Sequence, residues 1–281
     1  MRKQQRRHFI RDLKNQIRTD KKTFIIYSVL RALVILTLIR SIILKSYENT
    51  ALCILSLILF LFPAFVEENF GIEIPTGLES IIYIFIYSAE IMGEINHYYV
   101  LIPGWDTMLH TINGFLCAAV GFCLVDLLNR KSPHINLSPA YLALVAFCFS
   151  MTIGVIWEFF EFTMDQFFLL DMQKDFIVHS FASVTLDPTG QGTAVPVTNI
   201  VQTVITTASG KTYTINGYLD IGIIDTMKDL MVNFVGAVVF SVIGYFYVKN
   251  RKNSRFAEQF IPQVKVGDST TPESAGKDTQ A

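Results

Sequence analysis

The sequence predicts an all-α polytopic membrane protein: six transmembrane helices with a small extracytoplasmic β-hairpin insert between the fifth and sixth. Three observations predict it. Of 281 residues, 51% are hydrophobic and only 17% charged, with 23 Phe, a balance too apolar for a soluble domain of this length. The apolar residues gather in six runs, each about long enough to cross a ~30 Å hydrocarbon core. Lys and Arg collect at the ends that the positive-inside rule assigns to the cytoplasm.

Residues 1–22 carry nine Lys or Arg against two Asp, a pattern that suits a basic amphipathic segment on an anionic inner leaflet. It is too long for a signal-peptide n-region, and no A-x-A site follows the next apolar run, so no cleavage is expected. The transmembrane domain is 23–249, with spans at 24–44, 50–66, 77–96, 107–128, 139–162 and 224–249. Arg130-Lys131 and the tail's Lys249, Arg251, Lys252 and Arg255 then face inward with the N-terminus, placing both termini in the cytoplasm of a bacterial plasma membrane. The insert, 167–222, is too polar to span. Within it 197–207 and 212–219 alternate around Ala208-Ser-Gly-Lys211 and read as a hairpin, preceded by the turn-rich Asp187-Pro-Thr-Gly-Gln-Gly192. The composition of 250–281 predicts a disordered cytoplasmic tail. Cys53, Cys117, Cys123 and Cys148 all fall inside apolar runs with no CxxC pair, which argues against disulfides and for small core residues.

Four of the six predicted helices carry polar stripes at helical spacing. Asp225, Asp229 and Asn233 rise along the sixth. Asp106, His110 and Asn113 share a face of the fourth, Glu158, Glu161 and Asp165 one of the fifth, and Glu90, Glu94 and His97 one of the third. The third and fifth run outward and end there, while the fourth and sixth run inward and begin there. All four stripes therefore converge at the outer leaflet. Carboxylates crowded in a low dielectric repel unless something neutralises them, and a divalent cation, bound protons or a cationic ligand would do so. Carboxylates with His and Asn suit Mn²⁺, Zn²⁺, Mg²⁺ or Ca²⁺, so Asp106, His110, Glu158, Glu161, Asp225 and Asp229 form the candidate metal set. Glu90, Glu94, His97, Asn113, Asp165 and Asn233 stand behind them. Each acid taken alone also fits a plainer role, as an interfacial residue or a first-turn acid favouring the helix dipole. A second, inner set is Arg31 with Glu67, Glu68 and Glu79, read as a structural ion pair or a snorkelling side chain.

At these residues the chain resembles the YjdF-type family of bacterial inner-membrane proteins, and more distantly VanZ-like proteins. The matching pieces are Trp105-Asp-Thr-Met-Leu-His110-Thr-Ile-Asn-Gly114, Trp157-Glu-Phe-Phe-Glu161, and Asp225-Thr-Met-Lys-Asp229 through Gly236-Ala237. Leu230 stands where that family's pattern has Met, and the insert is longer than its usual one. The resemblance implies a multi-helix bacterial membrane protein and assigns no activity.

Three functions stay open: a metal-dependent enzyme acting on a lipid or envelope precursor, a proton- or cation-coupled transporter, and a non-catalytic membrane module with structural acid pairs. No nucleophile elbow or zincin motif is present. The partner implied is the lipid bilayer; nucleic acid is disfavoured, because the basic residues hug the membrane.

Overall fold

The computed structural model describes residues 21–131, 136–250, 259–261 and 263–264. All but the last two residues of the basic segment 1–22, and most of the tail 250–281, lie outside the described residues. Among those described, five helices are long and apolar enough to cross a membrane: Lys21–Ile43, Tyr47–Asn69, Trp105–Asn129, Pro139–Phe168 and Ile223–Lys249. Large apolar side chains stay exposed along them, Leu36, Ile58, Leu144, Val239 and Phe246 included. That inverts the soluble pattern and is expected where the surrounding medium is hydrocarbon. This is a multi-pass membrane protein.

The chain forms two compact units, Met1–Ile84 with Arg255–Ala281, and Phe85–Ser254. In the first, α1 (Lys21–Ile43) turns through Lys45, at φ 56°, into α2 (Tyr47–Leu59) and α3 (Phe62–Phe70). The second apolar run is thus two helices. Pro63, in the first turn of α3, has no N–H to donate and its ring crowds the preceding turn, so the helix breaks just before it. Gly71, at φ 63°, ends α3, and β1 (Ile72–Glu73) pairs antiparallel with the strand Gln263–Val264. Arg31 donates to the hydroxyl of Tyr27, whose ring lies 4.9 Å from that of Tyr83. Tyr83 donates to Glu79 at 2.7 Å, and Glu67 accepts the Ile74 amide at 2.7 Å. Arg31, expected to form an ion pair or to snorkel, is seen to donate to the Tyr27 phenol.

Five of the six expected runs are matched by candidate spans among the described residues, and the third is the one left out. It is α4 (Thr76–Ile86), 11 residues of α-helix, continued by nine residues of π-helix, Tyr87–Ile95, and it is not among the five candidate spans. The π-helix widens the turn to an i→i+5 pattern, so the four-residue spacing of Glu90 and Glu94 no longer stacks them on one line. His97 leaves the helix altogether, at φ 59°, ahead of the short α5 (Tyr98–Leu101). The segment folds back closely here: a Cβ on Gly93 would lie 2.4 Å from the ring of Tyr99.

The second unit is built on three long helices, α6 (Trp105–Lys131), α7 (Pro139–Phe168) and α8 (Ile223–Lys249). Small residues let them touch. A Cβ on Gly114 would meet the Asn233 carbonyl oxygen at 2.1 Å, and one on Gly236 the Thr111 carbonyl oxygen at 2.0 Å, so α6 and α8 pack backbone to backbone. Towards the other end, Phe122 and Phe240 are fully buried with rings 5.9 Å apart. The Ser150 hydroxyl donates to the Gly114 carbonyl at 2.7 Å, tying α7 to α6. All four cysteines are free; Cys53 and Cys123 are buried, whereas Cys148 is exposed and not the core residue expected.

The insert is a set of short antiparallel pairs. Strands β2 (Ile177–Val178) and β7 (Tyr218–Leu219) close its base, and within it β3 (Phe181–Ser183) pairs with β4 (Val195–Val197). Strands β5 (Thr203–Thr206) and β6 (Thr212–Ile215) form the hairpin about the expected turn, in register from Thr203 opposite Ile215 to Thr206 opposite Thr212. They are shorter than the alternation suggests. Left-handed Asn199 and Gly217, at φ 57° and 127°, interrupt the extended backbone on either side.

Candidate metal centre

Asp106 sits in the first turn of α6 and His110 one turn on, so both face the same way. Asp229 takes the corresponding place near the start of α8, and Glu158 lies on α7, which runs the opposite way and brings its later turns to the same end. His110 is the hub. Its Nε2 lies 3.5 Å from Asp106 Oδ1 and 3.8 Å from Asp229 Oδ2, and its Nδ1 lies 4.0 Å from Glu158 Oε1. His110, Glu158 and Asp229 side chains are 11%, 5% and 3% exposed, and Asp106, at 30%, forms the open edge. One ligand atom from each of Asp106, His110 and Asp229 falls within 4.8 Å of the others. Ligand atoms ~2.1 Å from a tetrahedral ion lie about 3.4 Å apart, so closing on a shared ion asks for side-chain shifts of up to about an ångström.

The remaining residues of the sequence-derived set are arranged around this group. Asp225 is buried, but its Oδ2 accepts the Lys174 amide at 2.8 Å. Glu161 is buried and accepts the Trp157 indole N–H at 2.9 Å. Asn113 donates to Asn233 at 3.4 Å one turn below the hub. Glu94, on the π-helix, is within electrostatic reach of Asp106 and Lys174, and Glu90 of Glu94. Glu94 and His97 are exposed. Asp165 holds a loop, accepting the Met172 and Gln173 amides at 2.7 and 2.8 Å.

That loop is the feature the sequence did not disclose. Leu169, at φ 55°, stops α7, and the chain doubles back across the N-terminus of α8. The Gln173 amide donates to the Thr226 hydroxyl, Lys174 N–H to Asp225, and Phe176 N–H to Asp220 at 2.6 Å. Asp220 also accepts the Ile224 amide at 2.9 Å, satisfying the first turn of α8. Gly222, at φ 88°, leaves room for the loop: a Cβ there would lie 2.6 Å from Gln173 Cβ. The only hint in the sequence is Asp220 two residues before Gly222 at a helix start.

Oε2 of Glu158 is buried and has no hydrogen-bond partner among the described residues, although the Thr226 side chain is within reach of the same carboxyl. A buried carboxylate oxygen left unpaired costs several kcal/mol in ordinary protein terms, roughly 1–3 or more, unless a positive charge stands near. The neighbouring donors of Asp106, His110 and Asp229, two carboxylates and an imidazole, are of the kind that suits a divalent cation such as Mn²⁺ or Zn²⁺.

A family model described as "Predicted membrane protein (DUF2238)" matches residues 26–250. A Thermotoga maritima protein described as "Uncharacterized protein" is 29% identical over 94 residues, which is 34% of this chain and 47% of that protein, so the match spans about half of the relative. No solved structure matches the chain.

Proposed function

The chain belongs to the DUF2238 family of predicted membrane proteins, and on that premise we propose that it holds a divalent cation between Asp106, His110 and Asp229 and acts as a metal-dependent enzyme on a lipid or envelope precursor at the outer leaflet. The observation that carries this is the meeting of three ligand atoms, from two helices locked together by glycine contacts, within 4.8 Å of one another. Three protein ligands leave a coordination position open, the pattern of catalytic and not of structural sites. When bound, such an ion polarises an ester or phosphoryl oxygen and lowers the pKa of water. The chain's own groups do the rest: Asp106 and Asp229 bring the negative charge, Glu161 stands nearby as a proton acceptor, and the loop 169–176 covers the α8 side.

Helix lengths support the depth. At ~1.5 Å per residue, Glu158 lies about 28 Å along α7 from Pro139, close to the full ~30 Å hydrocarbon thickness. His110 and Asp229 lie within two turns of their helix starts, which puts the cluster just beneath one headgroup layer. The positive-inside rule makes that layer the outer one, with both termini in the cytoplasm. The third run, α4 with its π-helix, serves as the sixth span. The motif resemblance to YjdF-type and VanZ-like proteins belongs to this reading as a proposal.

Purified full-length protein in nanodiscs, titrated with Mn²⁺ or Zn²⁺, is expected to bind one equivalent. Asp229→Asn and Asp106→Asn should each abolish that binding, while Asp171→Asn, in the loop, leaves it intact. Undiminished binding by Asp229→Asn, in protein that still melts like the wild type, would sink the site.

A further inference from the structure

Resting on that cation site, we infer that Glu158 is not a fourth ligand but the positioning residue for His110: its Oε1 accepts a hydrogen bond from Nδ1–H, which leaves Nε2 as the nitrogen offered to the cation that Asp106 and Asp229 would share. The two ring nitrogens face different partners. Nε2 looks toward both aspartates, at 3.5 and 3.8 Å, whereas Nδ1 looks toward Glu158 at 4.0 Å. A neutral imidazole carries one N–H, so a ring that binds a metal through Nε2 must carry its proton on Nδ1, and that proton needs an acceptor. A carboxylate is the usual one; it fixes ring orientation and raises the basicity of the ligating nitrogen.

Glu158 is built to hold that place. It is 5% exposed and comes from α7, while His110 comes from α6, so the contact joins two helices. One turn below it, Gly154 presses on Asn233: a Cβ there would lie 2.7 Å from the Asn233 amide nitrogen, so α7 cannot slide without displacing the polar core. The separation of 4.0 Å is that of a pair poised to close, and hydrogen bonds around a metal commonly tighten once it is bound. Oε2, with no hydrogen-bond partner among the described residues, leaves the carboxylate's negative charge to be offset by the nearby cation-loaded imidazole.

The test uses the full chain in nanodiscs with Co²⁺ as the probe, and Zn²⁺ for NMR with ¹⁵N-labelled histidine. Glu158→Gln is expected to weaken Co²⁺ binding roughly 10- to 100-fold while stoichiometry and the visible d–d bands stay as in the wild type. In the Zn²⁺-loaded wild type, His110 should show metal on Nε2 and a far-downfield Nδ1–H proton that moves upfield in Glu158→Gln. Unchanged Co²⁺ affinity in Glu158→Gln overturns the inference and leaves the cation site standing. Altered d–d bands, marking a lost donor, also overturn it, by making Glu158 a ligand. Should Glu158→Gln fail to fold, the wild-type spectrum decides alone: metal on Nδ1 overturns the inference, metal on Nε2 with the downfield proton supports it. A wild type that takes up no Co²⁺ overturns the cation site itself and the inference with it.

Discussion

Gly236 and Gly114 lie where α6 and α8 touch backbone to backbone, two turns below the aspartates those helices carry. A methyl group there has nowhere to go, because the atoms it would meet are main-chain carbonyls, at 2.0 and 2.1 Å, and not the ends of flexible side chains. Gly236→Ala should therefore force the helices apart. Overpacking of this kind costs about 1–3 kcal/mol, and backbone clashes sit at the upper end. Thermal unfolding in detergent measures it; a Gly236→Ala protein as stable as the wild type would contradict the close packing. The same displacement moves Asp229 away from His110, so cation affinity should fall with stability. In the sequence these glycines stand out only as the ends of two motifs shared with the resembling family. The sequence did not show that their partners were carbonyls on the helix carrying the other aspartate.

The helices and turns were legible in the sequence to different degrees. Long apolar runs gave α1, α6, α7 and α8 nearly their observed ends, because burial in hydrocarbon leaves a continuous apolar stretch no other regular structure. The π-helix Tyr87–Ile95 was not legible, since apolar periodicity alone does not separate i→i+4 from i→i+5 bonding over nine residues. The loop 169–176 was equally hidden: its ties are backbone amides reaching acids far along the chain, Lys174 to Asp225 and Phe176 to Asp220. In the insert one turn has a readable pH response. The Thr189 hydroxyl, followed by the Thr193 and Thr189 amides, holds the fully exposed Asp187 carboxyl down to about 2, below its ordinary value of 3.8. A depressed carboxylate stabilises the turn above its unfolded pKa and loses that contribution as pH falls through the folded one. Amide exchange at Thr189 and Thr193 should therefore stay protected at pH 4–5 and lose protection toward pH 2, and Asp187→Asn should show the unprotected behaviour at neutral pH. Equal protection in Asp187→Asn would contradict it.

For the whole molecule, alternating helix direction is what put Asp106, His110, Glu158 and Asp229 into one expected set with Glu161 and Asp225, and the structure brings the first four around the His110 ring. Direction says less about which carboxylates face the hub. Asp225 and Asp165 were set beside the others by spacing, yet each spends oxygens on loop amides. Membrane orientation has its own test. Ser209, exposed at the hairpin tip, becomes a reporter as Ser209→Cys, and a membrane-impermeant maleimide should label it in intact cells. Labelling only after lysis would turn the protein over and move the site to the cytoplasmic side. The central claim is the shared cation, and X-ray absorption of the Zn²⁺-loaded protein addresses it most directly. One imidazole nitrogen at ~2.0–2.1 Å with carboxylate oxygens at ~2.0–2.2 Å, the nitrogen lost in His110→Ala, is the predicted shell. A shell of oxygens only, unchanged in His110→Ala, would contradict it.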